Sequence, residues 1–349
     1  MAFPPNMARR AAAALAAAAL AGGAGCASGP RSPAPASAVS DPPLVWPAPP
    51  DPARIAFVRQ VHRPDELGAR LPALTRLGHW VSGSNQGDEP FEQPFGLAVD
   101  QDDNLCLTDT AARTVCFYDR AAARWHRWGV IGGIRLASPV AVAHHRGVFY
   151  VADTGLGRVL AFDGEARLLR SITNRLERPS GLAVLQDQLY VADSLRHEID
   201  VFDLDGRLRQ SFGHRGDEPG EFNHPTHLAA GPGGELLVTD SMNCRVQIFT
   251  ADGKYQGAVG GIGDSPGCLG RPKGVAVDSH GHVYVLDASF DNLQIFNLEG
   301  RLLLNLGGPG ADPGQFCLPN GIAVTRRDEI LITDSYNHRL QILKYIGPP

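Results

Sequence analysis

Residues 272–307 read PKGVAVDSHGHVYVLDASFDNLQIFNLEGRLLLNLG, and four short runs in this stretch have the composition of β-strands. The runs are GVAV, VYVLD, LQIF and LLLNLG, which are rich in apolar and β-branched residues and are separated by polar turn residues. The last two runs flank Glu299-Gly300, a pair typical of a tight hairpin turn. The stretch therefore predicts one four-stranded antiparallel unit.

This unit recurs six times along the chain. Each copy starts at a proline and reaches an aspartate 14 or 15 residues later: Pro94 and Asp109, Pro139 and Asp153, Pro179 and Asp193, Pro225 and Asp240, Pro272 and Asp287, Pro319 and Asp334. The prolines are 40 to 47 residues apart, which is the period of a propeller blade. A single blade cannot bury both faces, so the copies must pack in a ring. We predict an all-β, six-bladed β-propeller of four-stranded antiparallel blades over residues 54–346.

Two columns of the repeat have the side-chain sizes that a ring requires. Four residues after the leading proline, every copy has alanine: Ala98, Ala143, Ala183, Ala229, Ala276 and Ala323. The third run has a large residue at one position: Phe117, Phe162, Phe202, Phe249, Phe296 and Leu343. Blades converge on the axis and diverge outward, so close packing favours small residues inside and large ones outside.

The last copy ends after its third run, at Tyr345. An unpaired strand-like run, residues 54–61, precedes the first copy. We predict that this N-terminal strand completes blade six and closes the ring. Residues 64–86, which follow it, are expected to be irregular, with a helix around Leu74 to Val81.

The repeats resemble NHL repeats in their leading proline, the G-[IVL]-A-V run, the [LIV]-Y-V-x-D-[ST] run and the R-[VIL]-x-[VI]-F run. The resemblance covers about residues 90–346, and the chain looks like a bacterial NHL-type six-bladed propeller lipoprotein. It implies the fold, but not a function, because one fold supports many functions.

The first 25 residues have the pattern of an export signal, with Arg9 and Arg10 before an alanine-rich apolar run. Cys26 follows Gly23-Ala24-Gly25, which resembles a lipobox, so Cys26 is a candidate lipidation site. The alternative is an ordinary secretory signal with an incidental cysteine. Residues 26–53 are proline-rich and predict an extended tether. These features predict a protein anchored in the bacterial outer membrane, alternatively a periplasmic or secreted one.

The charge composition of the chain limits the classes of partner that it is expected to bind. The net charge is −5, whereas a nucleic-acid-binding protein usually carries a basic excess, so no nucleic acid is expected. The protein is expected to contact the membrane only through the lipid anchor, and to be a monomer.

Six cysteines are too few for a disulfide scaffold. Cys106 and Cys116 flank a hairpin centred on Ala111 and are expected to lie directly opposite each other. Cys268 and Cys317 occupy corresponding loops of adjacent blades, and either pair could be a disulfide or two thiols.

Because every copy has the strand-end aspartate, we interpret these carboxylates as turn caps rather than as a site. Departures from the repeat point to a site instead. His227 replaces a small axial residue, and Lys273 and Asn320 follow the leading prolines of the next two blades. With Arg158, Arg245 and Arg339 on the same face, they form the candidate ligand-binding set. The alternative is that His227 fills a packing gap, that Lys273 is solvated, and that the arginines pair with the aspartates.

Enzymatic interpretations require ligands that the repeat columns do not contain. Amidating lyases resemble this fold and hold zinc with three axial histidines, and gluconolactonase-type propellers hold a metal with axial carboxylates. Neither set is visible, and the sequence indicates no catalytic residue, metal ligand or cofactor. The sequence favours a binding or scaffold module for a protein, peptide or glycan of the cell envelope. A metal-dependent hydrolase or lyase on the same fold stays open as the alternative.

Overall fold

The computed structural model describes residues 43–69 and 89–347, and these residues form six blades of antiparallel strands. The export signal, Cys26, most of the tether and the helix expected around Leu74 to Val81 lie outside the described residues. Within them, the helical elements are three short 3₁₀ turns: Pro64–Leu67, Ser241–Asn243 and Ser335–Asn337. The all-β prediction and the blade count are confirmed.

Two strands precede the first repeat, and blades one to three follow. The N-terminal strands are β1 (Val45–Trp46) and β2 (Ile55–Val61). Blade one contains β3 (Pro94–Val99), β4 (Leu105–Asp109), β5 (Thr114–Asp119) and β6 (Arg124–Trp128), followed by a small hairpin of β7 (Val130–Ile131) and β8 (Ile134–Arg135). Blade two contains β9 (Pro139–His145), β10 (Val148–Asp153), β11 (Arg158–Phe162) and β12 (Leu168–Ile172). Blade three contains β13 (Pro179–Leu185), β14 (Gln188–Asp193), β15 (Glu198–Asp203) and β16 (Leu208–Phe212).

Blades four to six complete the chain. Blade four contains β17 (Pro225–Ala230), β18 (Glu235–Asp240), β19 (Arg245–Thr250) and β20 (Tyr255–Gly260). Blade five contains β21 (Pro272–Val277), β22 (Val283–Asp287), β23 (Asn292–Phe296) and β24 (Leu302–Gly307). Blade six contains β25 (Pro319–Val324), β26 (Glu329–Asp334) and β27 (Arg339–Tyr345), with β2 and β1 added at its outer edge.

The first strand of each blade lies at the axis, and these strands contact one another in a closed ring, with β25 beside β3. Among the described residues, buried apolar side chains form six clusters, one between each pair of neighbouring blades. Four phenylalanines of the third-strand column, and Leu343, are buried in these clusters. The packing between blades is therefore the hydrophobic core, as the size columns predict.

Glycines at the axis allow the inner strands to approach closely. A Cβ atom added to Gly181 would lie 2.3 Å from the Thr226 carbonyl oxygen of the next blade. The same contact recurs at Gly96, where a Cβ would lie 2.3 Å from the Val140 oxygen. The backbone of the facing strand cannot move aside unless a whole blade shifts. Only glycine therefore fits at these two positions.

We expect Gly181→Ala to lower the free energy of unfolding by about 1–3 kcal/mol, the usual cost of overpacking. Gly164→Ala is the matched control, because a Cβ there would meet no atom within 4 Å. Urea unfolding of the two variants measures the difference. Equal stabilities would contradict the close-approach argument.

Closure by the N-terminal strand is confirmed. Strand β2 pairs antiparallel with β27 along its length, from Ile55–Tyr345 to Val61–Leu340. The tether prediction needs a correction at one place, because Val45 and Trp46 form β1 and pair with β2. The partly buried Trp46 packs against the cluster between blades five and six. This part of the segment therefore has apolar surface to bury.

The cysteine geometry differs from the prediction. Cys106 pairs with Phe117, and Cys116 pairs with Leu107, so the two cysteines are offset by one residue. Because side chains alternate across a sheet, they point to opposite faces and lie in different buried clusters. All five described cysteines, including Cys268 and Cys317, are free thiols.

Candidate functional site

The strand-end aspartates fix the loops that surround the axis. In blade three, the Asp193 carboxylate accepts hydrogen bonds from the backbone N–H groups of Glu177 and Arg178 in the loop before the inner strand. It also accepts from Leu195 and Arg196 in the turn that follows. Each of the other five aspartates also accepts from a backbone N–H of the preceding loop. The structural interpretation of these aspartates is confirmed and extends beyond turn capping.

The leading prolines set the direction of the side chains beside them. In all six blades the proline pairs with the aspartate, and the register shifts directly after it. Such a bulge re-aims the neighbouring side chains. The residues before and after the proline, and the residue after the aspartate, consequently recur among those that line the axial opening.

Together these columns form a cavity of about 520 Å³ at one mouth of the channel, which we call the funnel. Its lining residues are Gln93, Phe95, Thr110, Ser138, Val140, Thr154, Arg178, Ser180, Ser194, His224, Thr226, His227, Ser241, Met242, Arg271 and Lys273. The volume is that of a small-molecule site. Hydroxyl groups are the most frequent polar groups in the lining.

Among the described residues, the funnel lining contains three cationic side chains, Arg178, Arg271 and Lys273, and no aspartate or glutamate. Within the described residues, none of the three side chains donates a hydrogen bond or forms an ion pair. Their backbones are nevertheless held firmly. Arg178 donates its N–H to Asp193, and its carbonyl accepts from the N–H and the hydroxyl of Ser194. The funnel therefore presents unpaired positive charge from a rigid frame.

Lys273 lies deeper than the arginines and is partly buried, whereas Arg178 and Arg271 are exposed. Burial, together with the nearby Arg271 charge, lowers the pKa of the Lys273 ammonium from 10.5 to about 8. The backbone carbonyl of Lys273 accepts a 2.8 Å hydrogen bond from the Thr239 hydroxyl of blade four. At pH 7 the ammonium is still mostly charged, and it loses its proton within one or two pH units above that.

His227 forms the floor of the funnel. Its Nε2 donates to Asn320 Oδ1 in blade six at 3.0 Å, and its ring stacks on Phe95 of the opposite blade. Burial and the Lys273 charge lower the pKa of His227 to about 3, so the ring is neutral at pH 7. His227 also lines a second cavity, of about 30 Å³, among the inner strands, which has room for little more than one or two water molecules. His227 therefore lines both the funnel and this smaller cavity, and its neutral ring supplies no positive charge.

Of the residues selected from the sequence, the structure brings His227, Lys273 and Asn320 together at this mouth, with Asn320 buried behind His227. The three arginines need a correction, because they do not line the funnel. Arg339 is 2% exposed and donates to Asp334 and to the carbonyls of Ala311, Asp312 and Gln315. Arg245 binds Asp240 in the same way.

Arg158 is the third of these arginines, and it donates to the carbonyl of Leu156. All three arginines thus pair with an aspartate or a carbonyl, which was the alternative interpretation. The arginines of the funnel are Arg178 and Arg271 instead. Both stand directly before a leading proline, a column where the sequence could have shown them beside Gln93, Ser138 and His224.

The opposite mouth of the channel has a different character. A cavity of about 260 Å³ is lined by the alanine column and by His144 and His145. His144 Nδ1 lies 2.7 Å from Asp100 Oδ2, so this ring is paired rather than simply solvated. Across residues 43–69 and 89–347, no three His, Cys, Asp or Glu side chains are grouped as a metal site would need.

Comparison with known proteins identifies the repeat. A family model for the NHL repeat matches residues 222–249, 269–296 and 316–343, which belong to blades four, five and six. Among curated protein sequences, no match is found. None of the described helices is long and apolar enough to cross a membrane.

Similar solved structures share the fold. A streptogramin B lyase is 13% identical with a TM-score of 0.55, over 74% of this chain and 95% of the lyase. Virginiamycin B lyase from Staphylococcus aureus is 13% identical with a TM-score of 0.53, over 73% of this chain and 96% of the lyase. Hydrazine synthase of Kuenenia stuttgartiensis is 14% identical with a TM-score of 0.54, over 76% of this chain and 99% of that chain. At these identities the likeness concerns the fold alone.

Proposed function

We propose that this NHL-repeat six-bladed β-propeller is a binding module of the cell envelope, tethered through Cys26, whose funnel captures an anionic group of a protein, peptide or glycan. The observation that carries the proposal is the charge of the funnel: in the part of the chain that the structure describes, Arg178, Arg271 and Lys273 are unpaired and no acidic side chain lines the funnel. A carboxylate or phosphate would accept charge-assisted hydrogen bonds from these groups. The hydroxyl-rich wall offers neutral partners for the rest of the ligand.

The charge of the funnel contrasts with that of the whole chain. The chain carries a net charge of −5, yet the funnel concentrates positive charge at one mouth. A local positive site on a negative body attracts small anionic groups while it disfavours extended polyanions. This supports a ligand with a few acidic groups rather than a nucleic acid.

The second candidate is the hydrolase or lyase, and it would share this funnel. Solved structures with a similar fold include proteins named as lyases and one named as a synthase. This range is expected of a fold that supports many functions. The described residues offer no metal-ligand cluster to either candidate. Anion binding without turnover of the bound molecule would separate the two.

We expect citrate and inorganic phosphate to bind in the funnel, and Arg271→Ala to raise the Kd of citrate roughly tenfold. The physical reason is that a hydrogen bond to a charged group contributes about 1.5–3 kcal/mol. Isothermal titration calorimetry measures the binding. Arg301→Ala is the matched control, because Arg301 is an exposed arginine of the same blade outside the funnel.

The pH dependence of citrate binding provides a second test of the same proposal. Since the pKa of Lys273 is about 8, its positive charge is present below pH 8 and is lost as pH rises through that value. Citrate binding should therefore weaken between pH 7 and pH 9, and Lys273→Arg should remove most of this dependence. Equal citrate affinity in Arg271→Ala, Arg301→Ala and the unchanged protein would sink the proposed function.

A further inference from the structure

Lysine is scarce in this protein, and its distribution is informative. Of the 32 lysine and arginine residues, the three lysines are Lys254, Lys273 and Lys344. Most positive charges of the chain are arginines, including Arg245 and Arg339 in the strand-end pairs. A lysine at the base of an arginine-bearing funnel therefore stands out. Unlike a guanidinium, an amine can lose its proton and react.

The three lysines occupy different environments. Lys254 is an exposed turn residue whose ammonium forms an ion pair with Asp252 at 2.7 Å, and this contact raises its pKa. Lys344 is exposed on β27. Lys273 has no acidic partner within residues 43–69 and 89–347. It lies partly buried in the funnel and is close enough to Arg271 to be affected by its charge. Desolvation and a neighbouring cation are the two conditions that activate a lysine as a nucleophile.

Two arginines of the funnel could position a ligand: Arg271 near Lys273, and Arg178 on blade three. Arg178 and Arg271 present guanidinium groups at the rim, and Lys273 lies below them toward the neutral ring of His227. An acidic group held at the rim leaves the adjoining part of the same molecule next to the Lys273 amine. If that part carries an aldehyde or ketone, the amine and the carbonyl carbon are brought together.

We propose, building on the anion-binding function above, that Lys273 is a nucleophilic amine that forms a reversible imine with a carbonyl compound whose carboxylate or phosphate is held by Arg178 and Arg271. The nitrogen lone pair attacks the carbonyl carbon, and a proton moves from nitrogen to oxygen to give a carbinolamine. The hydroxyl then leaves as water together with the second proton of the nitrogen, and the carbon–nitrogen double bond forms. No electrons are transferred in net terms, and hydrolysis reverses the reaction.

The small number of lysines makes the test sharp. The full chain is incubated at pH 7.5 with pyridoxal 5′-phosphate, an aldehyde that bears a phosphate, and imines are trapped with sodium borohydride. Peptide mass mapping then gives the labelling rate at each of the three lysines. With a pKa of about 8, roughly a quarter of the Lys273 side chains are neutral at this pH, against about 0.1% for an ordinary lysine. We expect Lys273 to be labelled at least about tenfold faster than Lys254 and Lys344.

Matched variants and probes test why Lys273 is labelled preferentially. Arg178→Gln with Arg271→Gln should reduce the preference for Lys273, and citrate should compete with labelling in the unchanged protein. Pyridoxal, which lacks the phosphate, should show a smaller preference. Lys273→Arg should lose the rapid labelling, because a guanidinium cannot form the imine. Lys254→Arg, the matched control outside the funnel, should leave both the labelling of Lys273 and citrate binding unchanged.

The outcomes separate this inference from the function on which it rests. Citrate binding with equal labelling of the three lysines would overturn the nucleophile and leave the anion-binding function standing. Absence of citrate and phosphate binding would overturn both. Rapid labelling of Lys273 that the arginine variants, citrate and removal of the phosphate all leave unchanged would overturn the anion-held arrangement.

Discussion

A chain that begins at residue 63, and so lacks β1 and β2, is expected to aggregate instead of forming a stable propeller. The deletion removes Ile55 and Val61, both fully buried, from the interfaces that blade six makes with blades five and one. Burial of two such side chains contributes about 3–6 kcal/mol. The deletion also leaves β27 as an open sheet edge, which favours association with other chains. A typical domain has only about 5–15 kcal/mol of stability, so the loss is decisive.

Two shorter deletions act as controls for this result. A chain that begins at residue 43 keeps every described contact and should melt like the full chain. A chain that begins at Asp51 loses β1 but keeps β2, and should be destabilised because Trp46 no longer covers the cluster between blades five and six. Size-exclusion chromatography and thermal melting measure all three. A monomeric, cooperatively melting chain from residue 63 would disprove closure by β2.

Arg339→Ala is expected to cost about 3–5 kcal/mol of unfolding free energy. The guanidinium is 2% exposed and lies 2.7 Å from the Asp334 carboxylate, which is itself fully buried. Removal of one partner leaves a buried charge uncompensated, which is the most expensive way to break such a pair. It also releases three loop carbonyls that accept hydrogen bonds from the guanidinium.

The matched control is Arg158→Ala, because Arg158 has the corresponding place in blade two but is partly exposed and bound to one carbonyl. Its cost should stay below about 1 kcal/mol, because Arg158 forms no ion pair with a described carboxylate, whereas Arg339 neutralises the buried Asp334. Urea unfolding compares the two variants, and calorimetry with citrate is performed on each folded protein. An Arg339→Ala variant of normal stability that has lost citrate binding would assign Arg339 to the ligand after all.

The fold could be predicted because a propeller repeats the same physical problem six times. Each blade needs a small residue at the axis, an aspartate at the strand end and a large apolar residue farther out. Six copies separate these requirements from local variation. The closing strand could be predicted for a related reason, since the last repeat lacks a fourth strand and an open sheet edge must be covered.

The site was harder to predict, because its residues come from several columns of the repeat. The column after the leading proline led to Lys273, which lines the funnel, and to Asn320. The small axial column, two residues after the proline, led to His227. The column before the leading proline, with Arg178 and Arg271, went unused, because only the bulge beside the proline shows that these side chains also reach the funnel. The grouping of Arg339 with the site failed because a periodic arginine looks the same whether it faces solvent or a buried carboxylate.

By itself, the sequence determined the all-β class, the number of blades, the antiparallel order within each blade and the strand that closes the ring, since periodic burial and turn chemistry specify all of these locally. Tertiary structure decided what depends on distances between residues far apart in sequence. Examples are the one-residue offset that separates Cys106 from Cys116, the contact of Trp46 with blade six, and the neutral state of His227. The unpaired cations of the funnel belong here too, because a charge is free only if no acid from any other blade reaches it.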